Sequence, residues 1–182
     1  MKPYIQIAIS MAVIFVCTAM MLNEDKPSEV NKKETSMIMP PLSIVDKNSP
    51  PSIQMAYYIQ KYAAEYDIPT NYAFGIAYAE TRYEGPYQWT YNPHQVSCAG
   101  AVGPMQIMPS TGQYNWKDRT VTREMLLNDI EFNVHTSMKL LRKLYNIYGD
   151  WKTVFGCYNT GRPCVNDYAI RVYNFTPAFK IA

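Results

Sequence analysis

The chain opens on a long stretch without charge. Ile5–Leu22 is apolar apart from Gln6, Ser10 and Thr18, with Lys2 before it and Glu24 and Asp25 after it. Its 18 residues lie between a long signal-peptide core and a short membrane span. A basic start and an acidic exit predict that the N-terminus stays in the cytoplasm while everything downstream is exported. Cleavage after Ala19, within Cys17-Thr18-Ala19, and retention as an uncleaved anchor both fit this pattern. Val16 before Cys17 argues against lipidation, which favours a small residue there. Asn23–Pro51 then shows neither a helical nor an alternating period. It carries Lys26-Pro27, Asn31-Lys32-Lys33-Glu34, Pro40-Pro41 and Ser49-Pro50-Pro51, and reads as a flexible linker.

From Ser52 a helical period sets in. Ser52 is the expected cap of a helix with Ile53, Met55, Ala56, Ile59, Tyr62 and Ala63 on its apolar positions. Asp67-Ile68-Pro69 breaks it, and Thr70 is the expected cap of a second helix over Asn71–Arg82, ended by Gly85-Pro86. A long loop, Glu84–Val102, follows and has room for a small hairpin. Pro109-Ser110-Thr111 starts another helix. The longest periodic stretch is Asp129–Tyr148, with Ile130, Val134, Met138, Leu141 and Tyr145 on one stripe. Lys139, Arg142 and Lys143 fall off that stripe and read as a solvated face. Trp151–Tyr158 and Val165–Tyr173 predict two shorter helices. With no convincing strand alternation and no repeat, the expectation is a mainly α domain over 52–175, with 176–182 as a tail.

Composition narrows the chemistry. A length of 182 residues suits one domain plus an appendage. A formal charge of +2 supplies no basic stripe, so nucleic acid is not an expected partner. Tyrosine occurs 16 times, which suits either a half-buried core or a wet groove that stacks on sugars. The two histidines, His94 and His135, have no metal-site spacing, and no cofactor fingerprint is present, so neither metal nor cofactor is expected. Cys98, Cys157 and Cys164 follow the leader. Their odd number permits at most one internal disulfide, and the spacing leaves the pairing open.

Glu80 is the carboxylate that stands out. Its helical neighbours Ala77, Ile76 and Ala73 form a small apolar face, which places the carboxyl where core meets cleft. Desolvation there raises a carboxyl pKa, as a general acid near neutral pH requires. Three ordered segments surround it: Glu80-Thr81-Arg82-Tyr83, the run Gly100–Thr111 containing Gly103-Pro104-Met105-Gln106-Ile107-Met108-Pro109-Ser110-Thr111, and Cys157-Tyr158-Asn159-Thr160-Gly161. With Tyr168-Ala169 and Val172 as a fourth element, they resemble the signatures of the soluble lytic transglycosylase (SLT) family. Met125–Gly149 resembles that family's long helix between its second and third signatures. The resemblance covers roughly 52–173.

The resemblance implies a lysozyme-like helical domain that cleaves peptidoglycan between N-acetylmuramic acid and N-acetylglucosamine. The C6 hydroxyl of the muramic acid would attack the anomeric carbon, leaving a 1,6-anhydro end. Glu80 would act first as acid and then as base. Thr81, Met105, Gln106, Tyr158, Asn159 and Tyr168 would bind substrate, with Met105 and Ile107 walling the cleft and the Tyr168 hydroxyl orienting the carboxylate. The expected partner is the glycan strand, met by a monomer in the periplasm or cell envelope, and residues 5–22 would supply any membrane anchor. Thr81 where serine is usual, Cys157 where alanine is usual, and extra length at Glu84–Tyr91 depart from the family pattern. Two rival readings are a hydrolytic muramidase, which needs a second carboxylate, and a non-catalytic wall-binding module.

Overall fold

Proline, and not a hydroxyl side chain, starts the first two helices. In the computed structural model, which describes residues 45–179, α1 (Pro51–Glu65) has Pro51 at its first position, where a missing N–H costs nothing. The Pro50 carbonyl accepts from the amides of Ile53 and Gln54. α2 (Thr70–Thr81) begins in the same manner after Pro69, whose carbonyl accepts from Tyr72 and Ala73. Ser52 and Thr70 are therefore not caps: each sits just inside its helix and makes no cap bond. Ser52 is buried instead, and its hydroxyl donates to Pro86 O at 3.0 Å, pinning α1 to the loop after α2. Order begins before the expected linker end, because Asp46 closes a turn by accepting from the amides of Asn48 and Ser49. The segment 5–22, the rest of the linker to residue 44 and residues 180–182 lie outside the described residues. Among the described residues no helix is long and apolar enough to cross a membrane.

The long helical stretch is broken once. α4 (Arg123–Asn128) ends at Asp129, whose extended backbone and side chain start α5 (Ile130–Tyr148) by accepting from Phe132 N. Gly149, at φ 70°, terminates α5 in the left-handed conformation that glycine adopts without steric cost. Around α5 pack α1, α4, α3 (Pro109–Asn115) and α6 (Trp151–Thr160), while α7 (Asp167–Tyr173) packs on α6 and α2. This mainly helical arrangement matches the expected fold class. No named strand occurs among the described residues. The expected small hairpin is reduced to two isolated antiparallel bridges, Val96 with Val102 and Val102 with Ile107.

The α5 stripe is deeper than the periodicity suggested. Val134, Met138 and Leu141 are wholly buried and Ile130 nearly so, but Leu144 and not Tyr145 continues the core. Tyr145 is partly buried and stacks on Trp151, with ring centroids 4.3 Å apart. The supposed solvated face is also occupied. Lys139 lies 3.7 Å from the Trp116 ring centroid, Lys143 lies 3.5 Å from that of Tyr114, and Arg142 donates to Tyr66 O while pairing with Asp67.

Polar side chains interrupt the buried face of α5 at Asn133, Thr136 and Ser137, and Asn133 makes the most contacts with the neighbouring loop. Asn133 is 0% exposed. Its Oδ1 accepts from Met105 N at 2.9 Å, and its Nδ2 donates to Val102 O at 2.9 Å and Leu126 O at 2.8 Å. The loop wraps so closely that a Cβ on Gly103, itself at φ 78°, would stand 2.3 Å from Asn133 Nδ2. Replacing Asn133 with leucine keeps the branched shape but strands the Met105 amide and the Leu126 carbonyl, while the Val102 carbonyl keeps its bond from Ile107 N. At about 1–3 kcal/mol for each buried unsatisfied group, we expect Asn133→Leu to lose at least ~2 kcal/mol, a Tm drop of about 5 °C or more. Thermal denaturation checks this, and a Tm within two or three degrees of the parent would contradict it.

Candidate active site

Glu80 owes its position to the bareness of the helix beneath it. Ala73, Ile76 and Ala77 are wholly buried, and Gly75 lets the end of α7 come close: a Cβ there would lie 3.1 Å from Val172 O and 2.9 Å from Phe175 Cβ. That approach brings the Tyr168 hydroxyl to Glu80, where it donates to Oε1 at 2.6 Å. Burial pushes the Glu80 carboxyl from 4.5 up to about 7, and the Tyr168 hydrogen bond only partly opposes it. Burial, followed by the charge of Glu80, raises the Tyr168 phenol well above its ordinary value, so it remains a donor. Arg82 closes α2 at φ 56° and lays its guanidinium over the Tyr78 ring. Glu84 lies beyond that turn and is exposed.

Two expected substrate contacts face the wrong way. Thr81 is buried, and its hydroxyl donates to Pro104 O at 2.9 Å while sharing a 2.8 Å bond with Tyr91. It ties the end of α2 to the Gly103–Ile107 loop, a part that serine would also play, and cannot reach a ligand. Met105 is 0% exposed and Ile107 2%, so their side chains belong to the core and do not wall a cleft. Met105 acts through its backbone: its N–H is held by Asn133, and its carbonyl accepts from the Tyr158 hydroxyl at 2.7 Å.

Gln106 follows Met105 at φ 50°, an unusual conformation for a side-chain-bearing residue. Its Nε2 donates to Gly103 O at 2.8 Å and Gln95 O at 3.2 Å, and Gln95 in turn reaches back to Thr81 O at 3.2 Å. With both amide hydrogens used, Gln106 offers its oxygen as an acceptor. The Tyr158 hydroxyl, also 3.0 Å from Ser137 Oγ, is likewise engaged inside the protein. Burial first, and then the charge of Glu80, raises its phenol well above the usual value. Asn159 is half-buried and accepts at Oδ1 from Asn166 Nδ2 at 3.1 Å.

Sequence reasoning passed over Asn133, Ser137, Gln95 and Asn166. The first two had a readable signal: polar residues four apart on a face otherwise destined for the core, each needing a partner. Asn166 had one too, as a cap residue before Asp167-Tyr168; its Oδ1 accepts from Ala169 N at 2.9 Å. The two histidines sit apart, His94 on Leu127 O and His135 stacked on Tyr62 and bonded to Tyr66. Among the described residues no three His, Cys, Asp or Glu side chains are grouped to hold a metal ion. Cys98, Cys157 and Cys164 are all free thiols.

The family model of the transglycosylase SLT domain matches residues 57–178. Among solved structures, the chain resembles the 70 kDa soluble lytic transglycosylase of Escherichia coli, with 27% identity and a TM-score of 0.50 over 64% of this chain. The complex of the 70 kDa soluble lytic transglycosylase with bulgecin A gives the same identity, coverage and score. This chain corresponds to only 18% of the length of either. No curated protein matches the sequence.

The buried carboxyl has a stability signature. Between its ordinary value of 4.5 and about 7, the folded protein holds a proton that the unfolded chain releases, so stability falls as pH rises through that window. Glu80→Gln removes the desolvated charge and keeps an acceptor for Tyr168. We expect the variant to be more stable than the parent at pH 8 by on the order of 1–3 kcal/mol, with the gap closing towards pH 4.5. Thermal melts at three pH values across that range test the sign, and a gap that widened on acidification would refute it.

Proposed function

The chain belongs to the transglycosylase SLT domain family, and we propose that it is a peptidoglycan lytic transglycosylase cutting between N-acetylmuramic acid and N-acetylglucosamine, with 1,6-anhydromuramic acid as product. The observation that carries this reading is the solitary, desolvated Glu80 bonded to Tyr168. A carboxyl titrating near 7 is protonated often enough to act as an acid and is basic enough to take a proton back.

Tyr168 donates to Oε1, which leaves Oε2 as the atom to carry the proton. In the first step Oε2 gives that proton to the glycosidic oxygen as the C1–O bond breaks, and the N-acetylglucosamine side departs with a hydroxyl. In the second, the muramic acid's own C6 oxygen bonds to C1 and its proton passes to Oε2. Glu80 ends as it began, and no water is consumed. One group serves both steps because they occur in sequence.

A hydrolytic muramidase is favoured less, since two-carboxylate schemes need a second Asp or Glu within about 5–10 Å. The acidity of Glu80 is set by burial and by Tyr168, with no other carboxylate contributing. Gln106 and Asn159 supply neutral polar groups for a neutral glycan. Such a substrate lies outside the cytoplasmic membrane, so the reading includes export, with residues 5–22 as signal or anchor.

Mass spectrometry of muropeptides released from purified sacculi tests the reading: anhydro ends are expected, whereas reducing ends or no release would overturn it. Glu80→Gln should lower turnover by about 10²–10⁴-fold or more, and Glu84→Gln should cost little. Equal loss in the two folded variants would sink the single-acid scheme. A second test is the pH profile. Because the acid must be protonated, kcat/KM should fall above about pH 7. The Tyr168 hydrogen bond lowers the Glu80 pKa, so Tyr168→Phe should move that alkaline limb upward while slowing the reaction. A limb that stays put or moves to lower pH would be contrary to the assigned role.

A further inference from the structure

We propose that Tyr78 is a positioning residue for the acid: its ring holds the Arg82 guanidinium to one side and so keeps a cation off the Glu80 carboxyl. For its catalytic meaning the proposal rests on the transglycosylase reading, while its test reads Glu80 directly.

Arg82 is the cation closest to Glu80 along the chain, two residues on. Consecutive α-carbons are 3.8 Å apart, so the two α-carbons stand no farther than about 7.6 Å from each other. A long arginine side chain can close such a gap. Inside a helix, side chains two residues apart do not face each other. Arg82 has left the helix, however, since it closes α2 at φ 56°. Its backbone is held on both sides. The N–H donates to Tyr78 O at 3.0 Å, and the carbonyl accepts from Gln88 Nε2 at 3.0 Å. Only the side chain is left to choose a partner.

The partner it takes is a ring. The guanidinium carbon lies 5.4 Å from the Tyr78 ring centroid, within reach of a cation–π contact. Phe175, just past α7, backs the Tyr78 ring with centroids 5.3 Å apart and planes at 32°, and is itself seated against Gly75. Arg82 enters no ion pair among the described residues, although Glu80 and Glu84 flank it in sequence. The groups around the acid show the same separation. Tyr168 of α7 bonds the carboxyl, and Tyr158 lies on α6. Burial first, and then the Glu80 charge, keeps both phenols protonated, and Arg171 of α7 bears on Tyr168. Glu80 itself is raised by burial and lowered only by the Tyr168 bond, with no cation contributing. An opposite charge within about 4–6 Å lowers a carboxyl pKa by roughly 1–3, so a guanidinium swung onto Glu80 would strip its proton near neutral pH.

Tyr78→Leu keeps an apolar contact for Phe175 and removes the ring face. With Arg82 released, Glu80 should titrate about one pH unit lower, read by carboxyl ¹³C NMR of the glutamate-labelled full chain in neutral detergent. Glu80→Gln identifies the signal. The protonated fraction at pH 8 should fall about tenfold, and kcat/KM on sacculi with it. Tyr78→Phe retains a ring face and should titrate with the parent. Adding Arg82→Gln to Tyr78→Leu should restore the parent's titration, a rescue that a general packing defect would not give. Tyr78→Met, a flexible filler without a ring face, stands in if the leucine variant does not fold. Arg82→Gln alone should leave Glu80 unmoved, because a cation held on the ring does not act on the acid; a clear rise would overturn the proposal. So would a folded Tyr78→Leu that titrates as the parent does, the freed cation having gone to Glu84 or solvent. A shift that persists without Arg82 is equally fatal. A parent that releases nothing from sacculi defeats the transglycosylase reading alone, since the titration needs no substrate.

Discussion

A single amide buried in α5 sets the geometry of the region around the acid. Asn133 sits where the helical period calls for an apolar residue, and its two ends bind one amide and two carbonyls from outside its own helix. Burying those groups unpaired would cost several kcal/mol, so the loop from Val102 to Ile107 has little freedom to move off α5. Its other features follow from that clamp. Residue 103 must be glycine, since a Cβ would collide with the clamp itself. Met105 is drawn inward, and its carbonyl then becomes the seat for the Tyr158 hydroxyl. Gln106 is left in a left-handed conformation, its amide folded back on the loop.

The acid depends on a second close approach. Where α2 meets the end of α7 it has glycine at position 75, which admits Val172 and Phe175 and lets Tyr168 reach the Glu80 carboxyl. Two opposing effects meet there. Desolvation favours the protonated carboxyl, and the phenol favours the ionised one. Desolvation is the larger, which leaves the group near neutrality instead of in the usual carboxylate range. Thr81 supports this arrangement from below by tying the end of α2 to Pro104 and Tyr91. The residue after the acid is thus structural, with its hydroxyl turned from the site.

Much of this could be read from the sequence. Glu80 on a small apolar face led to a desolvated acid, and the α5 stripe led to the central helix. The ordered segments at 80–83, 100–111 and 157–161 led to the family. The errors share one physical cause. Periodicity tells which face of a helix is buried, but not whether a polar group on a loop points inward to a backbone partner or outward to a ligand. Thr81 and Met105 were expected to bind substrate, yet the hydroxyl of the one and the side chain of the other are engaged inside the protein. Ser52 and Thr70 suited caps by type, but the prolines beside them had already met the needs of the helix ends. The direction of the Asn159 amide could not be read at all, because it depends on a contact across a turn.

Once those inward bonds are set aside, three of the residues expected at the site keep an atom without a hydrogen-bond partner among the described residues: Glu80 at Oε2, Gln106 at Oε1 and Asn159 at Nδ2. No cation contributes to the acidity of Glu80, and the nearby Arg82 is spent on the Tyr78 ring. That absence has chemical weight. A cation beside Glu80 would hold it ionised and remove the proton that the proposed first step needs, whereas a second carboxylate would add repulsion without aiding the proposed attack by the sugar's own hydroxyl. A site that is neutral when its acid is protonated suits a neutral glycan, because binding then depends on shape and on the placement of single donors and acceptors. In the proposed reaction charge develops only as the glycosidic bond opens, and the Glu80 carboxylate formed at that moment would both stabilise it and take the next proton.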